Sequence, residues 1–369
     1  TVDPIFAALW TVGAIAAIGA AWLAKFHRLA ALILLGGAGL VTCITFVWLS
    51  APDLALTQLL VEAVTTVLIL LGLRWLPKRF PGEMPETSTP GVTMRRARDL
   101  ALSVLAGTGM TLAAYAVMAR PAPNDGISSF FLKNAYTGGG GHNVVNVILV
   151  DFRGFDTFGE ITVLAIVALT VFALLRRFRP APDSIPQPEQ QRIQTSFDEA
   201  RPDRKPGDTV SEYLLVPSVI MQWLFPVIIV FAAYLFLRGH DLPGGGFVAG
   251  IAMAAAFILQ YMAAGTRSVE ARLRVLPVKW MGVGLLLATA AGVGSWLFGY
   301  PFLTSHSAEV DLPIIGKIHV ASAIAFDLGV FALVMGATVL MLIALAHQSI
   351  RSLRAAKTAT GAEEADRWN

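Results

Sequence analysis

Residues 54–75 have the sequence LALTQLLVEAVTTVLILLGLRW, an apolar run in which Glu62 is the only acid. The hydrocarbon core of a bilayer is about 30 Å thick, and a helix needs roughly 20 apolar residues to cross it. Only helices and closed barrels satisfy every backbone polar group in lipid, and an apolar run of this length is typical of a helix. The run therefore predicts a transmembrane helix with a carboxyl group near its middle.

Further apolar runs of the same kind are spread over the chain. The predicted spans are about 5–24, 29–49, 54–75, 100–119, 158–175, 213–237, 243–264, 280–300 and 318–347. One more run, 144–150, is too short to cross, and we expect it to lie at the interface or to re-enter. The sequence thus predicts an all-α, polytopic membrane protein with about nine transmembrane helices.

The composition of the 369 residues agrees with this fold class. Hydrophobic residues make up 55% and charged residues only 14%, whereas soluble domains contain about 25% charged residues. These values exclude a cytosolic enzyme, a disordered chain and a nucleic-acid binder. The single cysteine, Cys43, excludes a disulfide framework and a multi-cysteine metal site. Because the first residue is Thr rather than Met, we expect the chain to be part of a longer polypeptide.

Lys and Arg are distributed unevenly between the connections of the nine predicted spans. Alternate connections place 23 of the 28 Lys and Arg on one side and 5 on the other. Cytoplasmic loops are the ones that carry an excess of these residues. We therefore predict that the N-terminus lies outside and the C-terminus inside. This topology, rather than a polyanionic partner, explains the basic isoelectric point.

The clearest boundary in the chain is the segment 180–211. It is rich in Pro, Gln, Asp and Arg, a composition typical of a linker. A smaller Pro-rich break lies between residues 77 and 90. The predicted organisation is a three-span module, a two-span module with an external loop, a cytoplasmic linker, a four-span module and a cytoplasmic tail. In that order they cover 1–80, 81–180, 181–211, 212–350 and 351–369.

Ionisable groups deep in a bilayer are unfavourable and commonly mark ion or proton paths. Glu62 lies 8 residues into its predicted span, about 12 Å from the outer end at 1.5 Å per residue. Gln58, Thr65 and Thr66 share its helix face, so they form a polar stripe. The stripe predicts a hydrated path or a helix seam. The alternative is a neutral Glu62 that is hydrogen-bonded to a neighbouring helix, because burial alone raises a carboxyl pKa.

Asp327 lies about nine residues into the last predicted span, which places it near mid-depth. Its own helix face offers apolar neighbours such as Phe331 and Val334, so its partner must come from another helix. Two interpretations stay open for Asp327. It belongs to the ion path, or it holds two helices together.

Asp156 and Glu160 are spaced i, i+4 at the outer start of the fifth predicted span. Acids at a helix N-terminus are stabilised by the helix dipole, and Thr157 is a candidate cap, which is the structural interpretation. Two neighbouring carboxylates can instead share a proton or attract a cation. The spacing alone does not decide between the two.

Several other residues carry weaker functional signals. Asp53 after Pro52 is typical of a helix start, and Asp241 is predicted to cap the seventh span. His142 follows four glycines and is a weak candidate for an ion contact, the alternative being a loop histidine satisfied by the backbone. Gly246 and Gly250 have GxxxG spacing, which predicts close helix packing. No pair of His is placed for a haem, and no fixed metal site or cofactor is predicted.

The longest motifs resemble the Mrp-type multisubunit Na+/H+ antiporter family. APDLALTQLLVEAVTTVLILLGLRWLPKR at 51–79 and NVVNVILVDFRGFDTFGEITVLAIVAL at 143–169 are similar to the C-terminal part of its A-type subunit. HDLPGGGFVAGIAMAAAFILQYMA at 240–263 and FDLGVFALVMG at 326–336 are similar to its B-type subunit. The resemblance implies an A–B fusion in which 181–211 is the join.

The resemblance implies a component of a bacterial plasma-membrane complex that exchanges internal Na+ for external H+, driven by the proton-motive force. The implied partners are the antiporter-like domain of the A-type subunit, the C, D, E, F and G subunits, Na+, H+ and lipid. The family's functional acids map onto Glu62, Asp156 and Glu160, and Asp327 matches the motif of the B-type subunit. The antiporter-like domain and its mid-membrane Lys are absent here, so the chain alone is not a complete antiporter.

Two rival functions remain open at this point. The first is a purely structural adaptor that docks the antiporter domain against smaller subunits. The second is a membrane-arm subunit of a redox-driven proton or sodium pump, which would need cofactor-bearing hydrophilic partners. In each case the chain is a transport subunit without enzymatic chemistry of its own.

Overall fold

The structure, a computed structural model, describes most of the apolar part of the chain. The described residues are 3–24, 27–73, 90–120, 126–177, 193, 196–197, 200–201, 215–266, 269–270, 276–312 and 316–366. Most of the predicted linker at 181–211 lies outside these residues.

Helices dominate the described part of the chain. They are α1 (Pro4–Leu23), α2 (Arg28–Trp48), α3 (Pro52–Leu73), α4 (Pro90–Met118), α5 (Ser128–Gly139), α6 (Val144–Val147), α7 (Gly154–Arg177), α8 (Leu215–Arg238), α9 (Gly246–Ala264), α10 (Pro277–Gly294) and α11 (Ala323–Asp366). Among the described residues, nine helices are long and apolar enough to cross a membrane, all except α5 and α6. The protein is therefore a polytopic, helical membrane protein, as the apolar runs predict.

Proline sets the start of four of the spans. Pro4, Pro52, Pro90 and Pro277 are the first residues of α1, α3, α4 and α10. Proline is well tolerated there because its missing N–H has no intrahelical partner at that position and its fixed φ suits the helix. At α1 the Asp3 carboxylate also accepts the Ile5 N–H at 2.9 Å, so a side-chain cap completes the first turn.

The core of the bundle is formed by α9 and α11. About 72% of the apolar stretch of α9 and 67% of that of α11 is buried. Small residues allow this packing: a methyl group on Gly250 would meet the Phe331 carbonyl oxygen and the Val334 side chain. By contrast, none of the apolar stretch of α4 is buried within this chain.

The last span begins later than the apolar run predicts. Residues Ser307–Leu312 and Gly316–Ala321 form two antiparallel strands, β1 and β2, with Ser307 opposite Ala321. The prediction that the span starts at 318 is therefore wrong, because short apolar runs such as IHV do not distinguish a strand from a helix. We call the end of the bundle that carries these strands the hairpin end.

The short run at 144–150 does not cross the bundle. It forms α6 followed by a π-helix over Ile148–Phe152, and then α7 begins at Gly154. Asn143 caps α6 by accepting the Asn146 N–H at 3.3 Å. π-Helical turns are rare and occur frequently at functional sites. This segment lies at the hairpin end, where the π-helix contacts α11.

Candidate ion-path site

Glu62 is residue 11 of the 22 residues of α3, which places it at the middle of that span. Its side chain is half-buried. The Gln58 amide nitrogen, one turn earlier, donates to a Glu62 carboxylate oxygen at 3.3 Å. Of the two threonines on the predicted stripe, Thr66 is half-buried and Thr65 is exposed. The half-buried side of the stripe therefore runs from Gln58 through Glu62 to Thr66.

The Glu62 carboxyl group lies against the backbone of α2. A methyl group on Gly39 would overlap that carboxyl group, and one on Gly36 would stand 3.7 Å from its nearer oxygen. Within the described part of the chain, Gln58 is the one side-chain donor to the Glu62 carboxylate. The carboxyl group is thus held between two helices by one long hydrogen bond and by contact with glycine.

A cavity of about 220 Å³ lies at the hairpin end. It is lined by three acids from three different helices, Asp53 of α3, Glu160 of α7 and Asp327 of α11. Its other polar lining comes from Thr57, Asn146, Thr157 and the glycines at 244–246. The cavity therefore joins the part of the chain before the linker to the part after it. Glu62 does not line it and lies about 7.5 Å further along α3 than Thr57, which does.

Asp53 is buried, with 8% of its surface exposed. One of its oxygens accepts the Gly244 N–H at 3.0 Å and the Asn143 side-chain amide at 3.1 Å. The same Asn143 amide nitrogen also lies 3.0 Å from the Gly239 carbonyl oxygen. The sequence interpretation of Asp53 as a helix start is incomplete, because its carboxylate also ties α3 to the loop before α9.

Asp327 is also 8% exposed, and one carboxylate oxygen accepts the Gly246 N–H at 2.8 Å. Its partner comes from another helix, as the apolar face around it requires. Since Gly246 is the first residue of α9, Asp327 caps that helix from α11, where the helix dipole favours a negative charge. The expectation that Asp327 lies about nine residues into the last span is wrong, because α11 begins at Ala323 and Asp327 is its fifth residue.

Glycine is required where these helices meet. Gly245 has a φ of 95°, in the left-handed region that favours glycine. A side chain there would also stand 2.5 Å from the Asn146 amide nitrogen and 3.4 Å from an Asp327 oxygen. A methyl group on Gly246 would overlap the Asp327 backbone. Gly245 and Gly246 thus allow the close contact with Asp327.

Asp156 and Glu160 have different surroundings although they lie one turn apart. Asp156 forms an ion pair with Arg153 at 2.5 Å, on the exposed side of the first turn of α7. Glu160 lines the cavity. Thr157 between them is buried and donates to the Leu149 carbonyl oxygen at 2.7 Å. The structure therefore places Asp156 with Arg153 rather than with Glu160.

His142 pairs with an acid from the other part of the chain. Its backbone N–H donates to an Asp241 oxygen at 3.2 Å, and its Nδ1 lies 3.0 Å from the same oxygen. Burial alone would raise the pKa of Asp241, but the hydrogen bonds and charge of His142 together lower it. The prediction that Asp241 caps the seventh span is wrong, because Gly245 takes that position.

Two residues at the hairpin end carry roles that the sequence does not reveal. Asp151, in the π-helix, is buried and accepts the Ser305 N–H at 2.9 Å. Burial raises the pKa of Asp151, and the bond from Ser305 offsets only part of that rise. His240 lies 2.9 Å from the Gly139 carbonyl oxygen and 3.3 Å from the Asn146 side-chain oxygen. For His240 the sequence signal is its position beside the glycine-rich stretch DLPGGG at 241–246.

A second polar cluster lies at the opposite end of α9 and α11. One Glu270 oxygen lies 2.8 Å from His347 Nε2, and it accepts the Tyr261 hydroxyl at 3.4 Å. Among the described residues, no group of three or more His, Cys, Asp or Glu is placed to hold a metal ion.

Three family models match successive parts of the chain. Residues 12–78 match the D subunit of MBH, and residues 94–192 match the E subunit of MBH. Residues 216–340 match a domain related to the MnhB subunit of the Na+/H+ antiporter. The first two models cover α1–α3 and α4–α7, and the third covers the spans after the linker.

Relatives and a solved structure extend these matches. The chain is 67% identical over 368 residues to the probable K+/H+ antiporter A/B subunit of Rhizobium meliloti, covering 99% of this chain and 37% of that protein. It is 46% identical over 112 residues to the Na+/H+ antiporter B subunit of Bacillus subtilis, covering 30% of this chain and 78% of that protein. The Mrp complex from Dietzia sp. DQ12-45-1b has a chain with a TM-score of 0.72 and 28% identity, covering 94% of this chain and 35% of that one.

The chain covers different shares of the A/B relative and of the B-type relative. This chain spans little more than a third of the A/B relative, 37%, but 78% of the B-type relative. The part after the linker therefore corresponds to most of a B-type subunit, and the part before it to a portion of an A-type subunit. The chain belongs to the Mrp-type multisubunit antiporter family, as an A–B fusion.

Proposed function

We propose that the chain is a membrane subunit of a monovalent cation/proton antiporter driven by the proton-motive force. In this proposal it supplies acidic residues to a transmembrane ion path and docks the neighbouring subunits. The observation that carries the proposal is the position of Glu62, an acid at the midpoint of α3 with a single weak side-chain donor among the described residues. Ionisable groups at this depth are unfavourable unless they pair or function.

Glu62 would act as the carrier at mid-membrane. A carboxylate binds a proton covalently, or it offers the hard oxygen ligands that small cations prefer. The Gln58 amide suits both states because it has donors for an ionised carboxylate and an acceptor for a protonated one. Its 3.3 Å bond to Glu62 is long for a charged acceptor, so exchanging partners there requires little reorganisation.

The cavity at the hairpin end would connect this carrier to one membrane surface. Glu160 would gather cations or protons at its mouth, and Asp156, beside Arg153, would contribute to the surface charge. The excess of Lys and Arg on the opposite side supports an outward-facing hairpin end, with the N-terminus outside. The location would be a bacterial plasma membrane.

The cation is K+ or Na+. The A/B relative that matches almost the whole chain is named for K+, and the shorter B-type relative is named for Na+. The partners would be the remaining part of the A-type subunit together with the C, D, E, F and G subunits. Measuring exchange with each cation in everted vesicles distinguishes the two ions directly.

A structural adaptor is the second candidate, and the hairpin end favours it. Asp53 of α3 and Asp327 of α11 both bond to backbone N–H donors at or just before the start of α9. These contacts support docking as a parallel role of the same chain. An adaptor without an ion path predicts that every acid variant reduces assembly before it reduces exchange per assembled complex.

The decisive experiment replaces Glu62 by Gln in the whole complex. Glu62→Gln keeps the size and the hydrogen bond to Gln58 while it removes the ionisable group. We expect cation-driven proton movement in everted vesicles to fall at least about a hundredfold, the range of one general acid–base group. Asp99→Asn is the matched control, since Asp99 pairs with Arg98 on the exposed surface of α4. Normal exchange by an intact Glu62→Gln complex would contradict the carrier role.

A further inference from the structure

The α2 sequence LLGGAGL at 34–40 contains three glycines at the depth of Glu62. Glycine is a poor helix former, so three within four residues of a span need a packing or functional reason. The three are not equivalent. A methyl group on Gly37 would meet only the Ala16 side chain of α1, at 4.0 Å, while Gly36 and Gly39 face α3.

The glycines that face α3 contact the Glu62 carboxyl group specifically. The three atoms nearest to a methyl group on Gly39 would be the carboxyl carbon and both carboxyl oxygens of Glu62. At Gly36 the neighbour within 4 Å is again a Glu62 oxygen, at 3.7 Å. Gly36 and Gly39 are spaced i, i+3 and therefore lie on one helix face. Together they form a shallow groove that receives the carboxyl group.

We propose that Gly39 is a positioning residue for Glu62: its missing side chain lets the carboxyl group lie on α2 beside the Gln58 amide, in the orientation from which it exchanges its ion. This inference rests on the proposed carrier function of Glu62. The groove offers only weak Cα–H donors, so it locates the carboxyl group without neutralising it. Any side chain at 39 displaces the carboxyl group from Gln58.

A purely structural role for Gly39 makes a different prediction. If Gly39 only let α2 and α3 approach, the added methyl group would separate the helices whatever residue stood at 62. If Gly39 acts through the carboxyl group, shortening that side chain by one methylene removes the overlap. Glu62→Asp therefore distinguishes the two roles when it is combined with Gly39→Ala.

The test compares four variants in everted vesicles that contain the whole complex: Gly39→Ala, Gly37→Ala, Glu62→Asp and the double variant Gly39→Ala/Glu62→Asp. We expect Gly39→Ala to lower the maximal exchange rate about tenfold, equivalent to about 1.4 kcal/mol in activation free energy. We expect it to raise the half-saturating cation concentration as well. Gly37→Ala, the same chemical change on the other face, should stay within about twofold of the unsubstituted complex in both quantities.

The decisive comparison is the effect of Gly39→Ala with and without Glu62→Asp. We expect the tenfold loss to shrink to about twofold or less in the Glu62→Asp background. An equal loss in both backgrounds, or no loss from Gly39→Ala at all, would overturn the inference. If Gly39→Ala does not assemble on a native gel, the double variant decides: recovery of assembly with Glu62→Asp supports the inference, because the shorter side chain removes the overlap with the added methyl group. A double variant that also fails to assemble would overturn the inference.

The inference and the carrier function fail in different ways. If Glu62→Gln exchanges ions normally, the carrier role is wrong and the groove has no function to serve. If Glu62→Gln is inactive while Gly39→Ala is normal, Glu62 remains the carrier and only the positioning role is lost.

Discussion

The middle of α3 and the hairpin end both place acids between packed helices, but they hold them differently. At the hairpin end, Asp53 and Asp327 accept backbone N–H groups at 3.0 and 2.8 Å. In the middle of α3, Glu62 accepts one side-chain amide at 3.3 Å and rests on glycine. The hairpin-end acids are the more deeply buried, with 8% exposed, while Glu62 is only half-buried.

The kind of donor, rather than the depth of burial, separates an anchor from a carrier. A backbone N–H at a helix start cannot turn away, so its bond to a carboxylate is lost only if the helix moves. A Gln side chain can rotate and offer its oxygen instead. An acid held by a side-chain donor is therefore better suited to change its proton or cation than one held by backbone donors. On this basis we propose that Asp327 is first an anchor of α9 and that Glu62 is the better candidate for ion exchange.

The substitution that tests the difference between the two regions most strongly is Asp327→Ala. The substitution leaves the buried Gly246 N–H without its acceptor and removes the cap of α9, so we expect a loss of about 1–3 kcal/mol in stability. The loss should appear as less assembled complex on a native gel and a lower Tm. Asp327→Asn is the control, because its amide oxygen still accepts the N–H.

If Asp327 is mainly an anchor, Asp327→Ala should affect the two measurements, assembly and exchange, to different extents. Exchange per assembled complex should change less than the amount of complex does. A fully assembled Asp327→Ala complex that has lost exchange would instead place Asp327 in the ion path with Glu62, and the distinction between the two regions would disappear.

A smaller effect, which depends on pH, is expected at Asp151. Burial raises its pKa above the ordinary value of 3.8, and the Ser305 N–H offsets only part of that rise. A raised pKa means that the folded state favours the protonated acid. The stabilising contribution of Asp151 is therefore complete below pH 3.8 and is lost as the pH rises through the raised value.

Asp151→Asn tests this sign directly. The amide resembles the protonated acid, keeps an oxygen for Ser305 and does not ionise. We expect the Tm of the variant relative to the unsubstituted protein to increase as the pH is raised from about 4 upward, and then to level off. A difference of about 1 kcal/mol corresponds to roughly 2–4 °C in domains of 150–250 residues. A difference that decreases with pH would mean that the charged form is favoured at this position.

Much of the fold follows from the sequence because every span needs roughly 20 apolar residues to cross the lipid. Length and apolarity located the nine candidate spans of the described chain, usually within a few residues of the ends in the structure. The error in the type of element is at 318–322, where strand β2 precedes helix α11; in addition, α4 begins 10 residues before its predicted span and α11 continues 19 residues beyond its own. Hydropathy measures the tendency to be buried and not the backbone conformation, so it does not separate the two.

The candidate site was less accessible from the sequence. Glu62 stands out because an acid in an apolar run is rare, and its partner Gln58 lies on the same helix at a spacing that the sequence shows. Asp53, His240 and Gly39 do not stand out, since their partners lie far away in the chain or are backbone atoms. The tertiary packing of different helices decides these contacts, including α5 and α6 for His240, and no periodicity in one helix encodes them.

The smallest expected effect concerns His142 and Asp241, which join the two parts of the chain at the surface of the hairpin end. Their side chains are 66% and 63% exposed, and exposed pairs of this kind contribute about 1 kcal/mol or less. The pKa of Asp241 is lowered, so the contribution is present above pH 3.8 and is lost as the pH falls through the lowered value. His142→Ala removes only the ring, because the backbone N–H at 142 still donates to Asp241. We therefore expect a change in Tm of no more than about 2 °C at neutral pH, smaller still in high salt. A loss as large as that of Asp327→Ala would show that surface charge, and not the buried backbone donors, holds the two parts together.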